Sequence, residues 1–133
     1  MVRSKPAVMV VDDDPSFLPA VVRLIRTGGY DVQGFETIDG LRARLPLPAT
    51  CCVLADVVLR GESGLEIPDM LSARGESAPV IFMSATEDRD KIEAASSVSA
   101  VPYLKKPLEA CALFEALELA LRGLERMSEP NHQ

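Results

Sequence analysis

At 133 residues the chain is one domain's worth of polypeptide, long enough to bury a core without disulfide or metal staples. Its 47 % hydrophobic and 26 % charged content argues against a disordered chain. No apolar run approaches the roughly 20 residues that cross a bilayer, and a net charge of −6 leaves no surplus of Lys and Arg for nucleic-acid phosphates. The basic opening of MVRSKPAVMVVDDDP leads into an apolar stretch, Ala7 to Val11, that is too short for a signal peptide and ends in acids. The expectation is a cytoplasmic protein with neither a membrane nor a nucleic-acid partner. The three cysteines, Cys51, Cys52 and Cys111, form no C-x-x-C pair, and the single histidine, His132, lies in the tail. A zinc site and a nucleophilic triad are therefore improbable. Cys51 and Cys52 open an apolar run and read as small packing residues.

In chain order, short β-like runs alternate with helical ones, the pattern of a parallel sheet with crossover helices. Ala7 to Val11 is a continuous apolar run, as for a strand buried on both faces. Asp14 followed by Pro15 reads as an N-cap and a first helical residue. Phe17, Val21, Leu24 and Ile25 form the helix's apolar face, Gly28-Gly29 ends it, and Pro19 predicts a local distortion rather than a break. Tyr30 to Phe35 is a weaker second strand. Thr37 caps a short helix with Leu41 and Leu45, stopped by the Pro46/Pro48 loop. Cys51 to Ala55 is the third strand, ending in Asp56. A turn at Gly61 to Gly64 precedes a helix from Leu65 to Arg74 in which Pro68 is a second early irregularity. Val80 to Met83 is the fourth strand, closing at Ser84, and a polar helix fills Asp88 to about Val98. Val101 to Leu104 is the fifth strand. Leu108 to Met127 is the last helix, buried along Phe114, Leu117, Leu121 and Leu124. A polar tail follows from Ser128.

In such a sheet the loops after the strand C-terminal ends gather at one edge, where ligands bind. Asp12 and Asp13 follow the first strand, Asp56 the third, Ser84 the fourth, and Lys106 lies just past the fifth. Three carboxylates, a hydroxyl and an ammonium are thus expected in one pocket. Clustered carboxylates repel unless a cation joins them, and hard oxygen donors with room for water and phosphate suit Mg²⁺. Phosphoryl transfer needs one carboxylate as nucleophile, with positive charge and a hydroxyl on the equatorial oxygens. Singly each residue has a plainer reading: Asp-Asp as a solvated turn, Lys-Pro as a turn, Ser84 as a strand-end hydroxyl. Their coincidence at five strand ends is what carries the chemistry.

The segments VMVVDDDP, VLADVVLRGESGLE, VIFMSATE and YLKKPL, with their separations, resemble the receiver domain of bacterial two-component response regulators over about residues 7 to 125. The resemblance implies a flavodoxin-like doubly wound α/β fold, a five-stranded parallel sheet of order 2-1-3-4-5 with five helices. It implies Asp56 as phospho-acceptor, and Asp13, Asp56 and the backbone carbonyl of Val58 as Mg²⁺ ligands, with Asp12 acting through water. Ser84 would move to the phosphoryl oxygen, Lys106 would pair with it, and Tyr103 would swing inward when Ser84 moves. Departures from the family pattern are Arg60, four after the acceptor where Pro is common, Ser99 where Gly is usual, Pro102 before Tyr103, and Pro68. None removes a catalytic group.

The resemblance further implies a sensor histidine kinase or histidine phosphotransfer protein as phosphoryl donor. It also suggests a homodimer through the fourth helix, fifth strand and fifth helix. Residues 1–127 would form the receiver and 128–133 a flexible tail, with no helix-turn-helix after Met127. The chain would catalyse its own phosphorylation and dephosphorylation as a switch, not as a metabolic enzyme. Two alternatives stand beside it. One is a receiver-like interaction module that is never phosphorylated, against which all five site residues are retained. The other is a Mg²⁺-dependent phosphohydrolase using Asp12 of the Asp12/Asp14 pair as nucleophile, against which Asp14-Pro15 fits a helix start and no cap domain is present.

Overall fold

Strands that are apolar on both faces can be buried only if helices cover both sides of the sheet they form. The computed structural model describes residues 5–98, 101 and 103–128, and side chains of the last helix as far as 123. Its strands are β1 (Ala7–Val11), β2 (Asp31–Phe35), β3 (Cys51–Asp56), β4 (Val58–Leu59), β5 (Glu62–Ser63), β6 (Val80–Ser84) and β7 (Leu104–Lys105). Its helices are α1 (Phe17–Arg26), α2 (Ile38–Arg44), α3 (Ile67–Ala73), α4 (Arg89–Val98) and α5 (Ala110–Ser128). The main sheet has the order β2-β1-β3-β6-β7, every neighbouring pair parallel. Counting only strands of this sheet, that is the expected 2-1-3-4-5. The strands β4 and β5 stand apart as an antiparallel hairpin, with Val58 opposite Ser63 and Leu59 opposite Glu62. Only a turn was expected there.

The period-two geometry of the strands divides the core into two layers. Val8, Val10, Cys52, Leu54, Ile81 and Met83 face Leu18, Val21 and Ile25 of α1 and Leu113, Leu117 and Leu121 of α5. Ala7, Met9, Cys51, Val53, Ala55 and Phe82 face Ile38 and Leu41 of α2, Ile67 and Leu71 of α3, and Ala95 of α4. Each fully buried side chain of the size of Leu54 or Phe82 contributes about 1.5–3 kcal/mol relative to exposure. Cys51 and Cys52 lie one in each layer, as small packing residues.

Local signals decide the helix ends. The Asp14 carboxylate accepts the N–H groups of Ser16 and Phe17, so it caps α1 although regular helix begins only at Phe17. Pro19 is the third residue of α1; the Leu18 N–H already bonds the Asp14 carbonyl at 3.0 Å, so the missing Pro19 N–H interrupts the ladder at the next residue, a local distortion and not a break. Thr37 caps α2 by accepting from Gly40 N–H at 3.0 Å, worth about 1 kcal/mol. The expected helix from Leu65 opens as a 3₁₀ turn, Gly64–Glu66, before α3, and Pro68 falls in the first turn of α3. The fifth strand is displaced from Val101–Leu104 to Leu104–Lys105, because the ladder pairs Met83 with Leu104 and Ser84 with Lys105 at the very end of β6. Val101 is buried. The last helix starts two residues later than expected and runs to Ser128. Ser99, Pro102, His132 and the tail beyond Ser128 lie outside the described residues, as does the side chain of Leu124. Among the described residues no helix is long and apolar enough to cross a membrane.

Candidate functional site

Parallel register brings the strand ends level. Val11 pairs with Ala55 and Asp56 with Met83, so Asp12 follows β1 beside Asp56, the last residue of β3. Lys106 directly follows β7, and its N–H donates to the Ser84 carbonyl at 3.0 Å. Lys106 Nζ reaches Asp12 Oδ2 at 2.6 Å and Asp56 Oδ2 at 2.7 Å. The remaining oxygens of the two acids accept backbone N–H groups, Asp12 Oδ1 from Asp14 and Asp56 Oδ1 from Val58, each at 2.9 Å.

This cluster is largely closed to water. Asp12 is fully buried, and Asp56 and Ser84 are 7 % and 2 % exposed. Burial pushes the Asp12 carboxyl up, and this outweighs the Lys106 hydrogen bond that pulls it down. Burial opposes the Lys106 charge as well, but its bonds to Asp12 and Asp56 win and raise the ammonium above its ordinary value. The two directions have different origins: burial dominates at Asp12, whereas at Lys106 two carboxylates facing a single ammonium leave a local deficit of positive charge that holds its proton. The same deficit of positive charge favours a bound cation.

Asp13, the third expected carboxylate, has a separate partner. Its Oδ2 accepts the Arg60 N–H at 2.7 Å, with Arg60 Nε at 3.9 Å. Among the described residues no group of three or more His, Cys, Asp or Glu side chains is arranged to hold a metal ion. The donor set is that of a hard-cation site, all carboxylate and carbonyl oxygen, whereas the observed arrangement keeps Asp13 on the hairpin. Ser84 Oγ accepts from Thr86 N–H at 3.1 Å, which leaves its own proton free to donate. The Tyr103 hydroxyl donates to the Ser84 carbonyl at 2.9 Å, and its ring packs partly buried against the layer around Phe82. Burial raises the Tyr103 pKa.

Two contributors were missed from the sequence. The Phe17 ring lies 4.0 Å beneath Lys106 Nζ, a cation–π contact hidden because Phe17 also fits the apolar stripe of α1. Gly64 passes so close to β3 that a Cβ there would stand 2.0 Å from the Asp56 carbonyl oxygen. Glycine following a serine three residues beyond a G at a turn was its only trace. The close approach lets Gly64 N–H bond the Val57 carbonyl at 2.9 Å and holds the backbone around Asp56.

A family model described as the response regulator receiver domain matches residues 8–118. The transcriptional regulatory protein TdiR of Thauera aromatica is 33 % identical over 127 residues, 95 % of this chain and 56 % of TdiR. The transcriptional regulatory protein FixJ of Bradyrhizobium diazoefficiens is 28 % identical over 122 residues, 92 % of this chain and 60 % of FixJ. A crystal structure of full-length FixJ from B. japonicum superposes with a TM-score of 0.82 at 27 % identity, covering 95 % of this chain and 62 % of that one. The chain thus spans somewhat more than half the length of the curated relatives it matches.

Proposed function

We propose that this chain, which belongs to the family of response regulator receiver domains, accepts a phosphoryl group on Asp56. The observation that carries the reading is the Asp56 carboxylate itself: at the sheet edge, one oxygen on Lys106 and the other on the Val58 N–H. The donor is the phosphorylated imidazole of a sensor histidine kinase or histidine phosphotransfer protein. An Asp56 oxygen attacks phosphorus as the P–N bond breaks, and the electron pair leaves on the imidazole nitrogen, which takes a proton. Hydrolysis of the resulting acyl phosphate by water releases inorganic phosphate and restores the carboxylate.

Lys106, already beside Asp56 Oδ2, supplies positive charge to the phosphoryl oxygens, and the Ser84 hydroxyl donates to another. Phe17 beneath the ammonium keeps Lys106 directed inward. Asp13, Asp56 and the Val58 carbonyl would hold Mg²⁺, with Asp12 acting through water. When bound, the ion neutralises charge building on the phosphoryl oxygens. The net-negative pairing of Asp12 and Asp56 against one ammonium supports a cation there. Switching is a population shift biased by the new contacts of Ser84 and Lys106 and followed by Tyr103. Its output face is α4, β7 and α5, where Leu119 is half-exposed, and a homodimer through this face belongs to the proposal. Asp12 is the poorer nucleophile in comparison, since it is fully buried whereas Asp56 keeps some exposure.

Incubation with Mg²⁺ and acetyl phosphate tests the assignment. Wild type is expected to gain one phosphoryl mass and Asp56→Asn none. Equal uptake by Asp56→Asn overturns Asp56 as acceptor, and a phosphate mapped to Asp12 would favour the hydrolase reading.

A further inference from the structure

Arg60 occupies the tip of the β4–β5 hairpin, and both of its polar parts converge on one carboxylate oxygen. Its backbone N–H lies 2.7 Å from Asp13 Oδ2, and its guanidinium Nε is 3.9 Å from the same atom. The hairpin that presents this N–H is pinned from three sides. Glu62 Oε2 accepts the Ile38 N–H at the start of α2, Ser63 Oγ accepts the Leu65 N–H, and Gly64 N–H bonds the Val57 carbonyl. A donor on so fixed a support holds Asp13 in place rather than following it.

We propose that Arg60 is a positioning residue that weakens divalent-cation binding at this site by holding Asp13 Oδ2 on the hairpin. The inference rests on the reading of Asp13 as a metal ligand and adds what sets the strength of that ligand. A cation that binds through Asp13 Oδ2 must displace or share a charge-assisted N–H bond and approach an exposed guanidinium that repels it. The two contributions differ in size and in salt response. The backbone bond ends on an ionised, partly buried carboxylate and is the larger. The guanidinium is 87 % exposed and acts weakly through screened charge.

The two can be removed separately because of the turn geometry. Gly61 has φ +71°, and no non-glycine residue has positive φ, so Arg60-Gly61 follow the type II pattern, in which proline is favoured at the first central position. Arg60→Pro deletes both the N–H and the guanidinium without opposing the turn. Arg60→Ala deletes the guanidinium alone.

Magnesium chloride titration of the full chain, followed by amide NMR shifts, is the test, with Asp13→Asn alongside. Arg60→Ala is expected to bind Mg²⁺ about two- to fivefold more tightly at low salt, the gain vanishing at high salt. Arg60→Pro is expected to gain about tenfold or more, at either salt concentration. A merely structural role for Arg60 would leave affinity unchanged or weaken it, so a folded Arg60→Pro with equal or weaker binding overturns the proposal. Should Arg60→Pro not fold, absence of the salt-dependent gain in Arg60→Ala overturns it equally. Asp13→Asn separates the premises. If it binds Mg²⁺ as wild type does, the metal reading fails and takes the proposal with it. If it weakens binding while the Arg60 variants match wild type, only the role of Arg60 falls.

Discussion

Lys106 Nζ stands 2.6 Å from Oδ2 of a fully buried Asp12, and the same ammonium is the shared counter-ion of Asp56. Removing one partner of such a cluster leaves buried charge uncompensated, which costs more than the pair itself contributes. Lys106→Ala should therefore lose about 3 kcal/mol of stability at neutral pH. If a cation takes the place of the ammonium, Mg²⁺ should restore more stability to Lys106→Ala than it adds to wild type. Urea denaturation with and without Mg²⁺ measures both. A variant as stable as wild type would mean that the two carboxylates do not depend on Lys106.

Gly64 tests how tightly the acceptor's backbone is held. A methyl group at 2.0 Å from the Asp56 carbonyl oxygen cannot be accommodated without backbone movement. Gly64→Ala should destabilise by about 2–3 kcal/mol, in the range of overpacked sites. It should also slow phosphoryl uptake from acetyl phosphate, because the displaced backbone carries the acceptor. Denaturation and intact-mass time courses on the same preparation check the two effects together.

Ser84 and Tyr103 separate switching from folding. Among the described residues Ser84 Oγ accepts only a local N–H, from Thr86, so Ser84→Ala should cost no more than about 1 kcal/mol and leave Mg²⁺ binding intact. Its response to beryllofluoride, a phosphoryl mimic, should shrink along β6, β7 and α5 in amide NMR spectra. An unchanged pattern and amplitude would exclude hydroxyl-coupled switching. Tyr103→Phe removes the bond to the Ser84 carbonyl and should cost a similar small amount of stability.

The cysteines predict an alkaline limit. Burial pushes the Cys51 thiol up to about 12 and Cys52 higher still, while Cys111 is exposed. A folded-state pKa above the unfolded value gives stability that is complete below the unfolded thiol's range and lost as pH rises towards the folded value. From about pH 9 upward each buried thiol should cost up to about 1.4 kcal/mol per pH unit. Urea midpoints between pH 8 and 10.5 should fall more steeply for wild type than for a Cys51→Ala/Cys52→Ala variant. Near neutral pH a thiol reagent should label Cys111 quickly and the other two only on unfolding.

The strands were legible because burial on both faces demands unbroken apolar runs, and AVMVV, CCVLA and VIFM have them. Parallel pairing then carries the residue after each run to a common edge, so the proximity of Asp12, Asp56, Ser84 and Lys106 followed from the order of residues alone. The fifth strand was less legible, since Val101 is as apolar as Leu104 and only the register with Met83 and Ser84 decides which stretch joins the ladder. The site's finer arrangement has no periodic signal at all. Whether Asp13 faces Lys106 or Arg60 depends on where a hairpin tip lies in space, and that tip is held by Glu62 against α2 and by Gly64 against Val57. Hydrophobic periodicity reports which face of an element is buried. The direction of a carboxylate depends on hydrogen bonds between residues distant in the chain, such as Asp13 and Arg60 or Asp12 and Lys106, and those exist only once the sheet and its loops have closed around them.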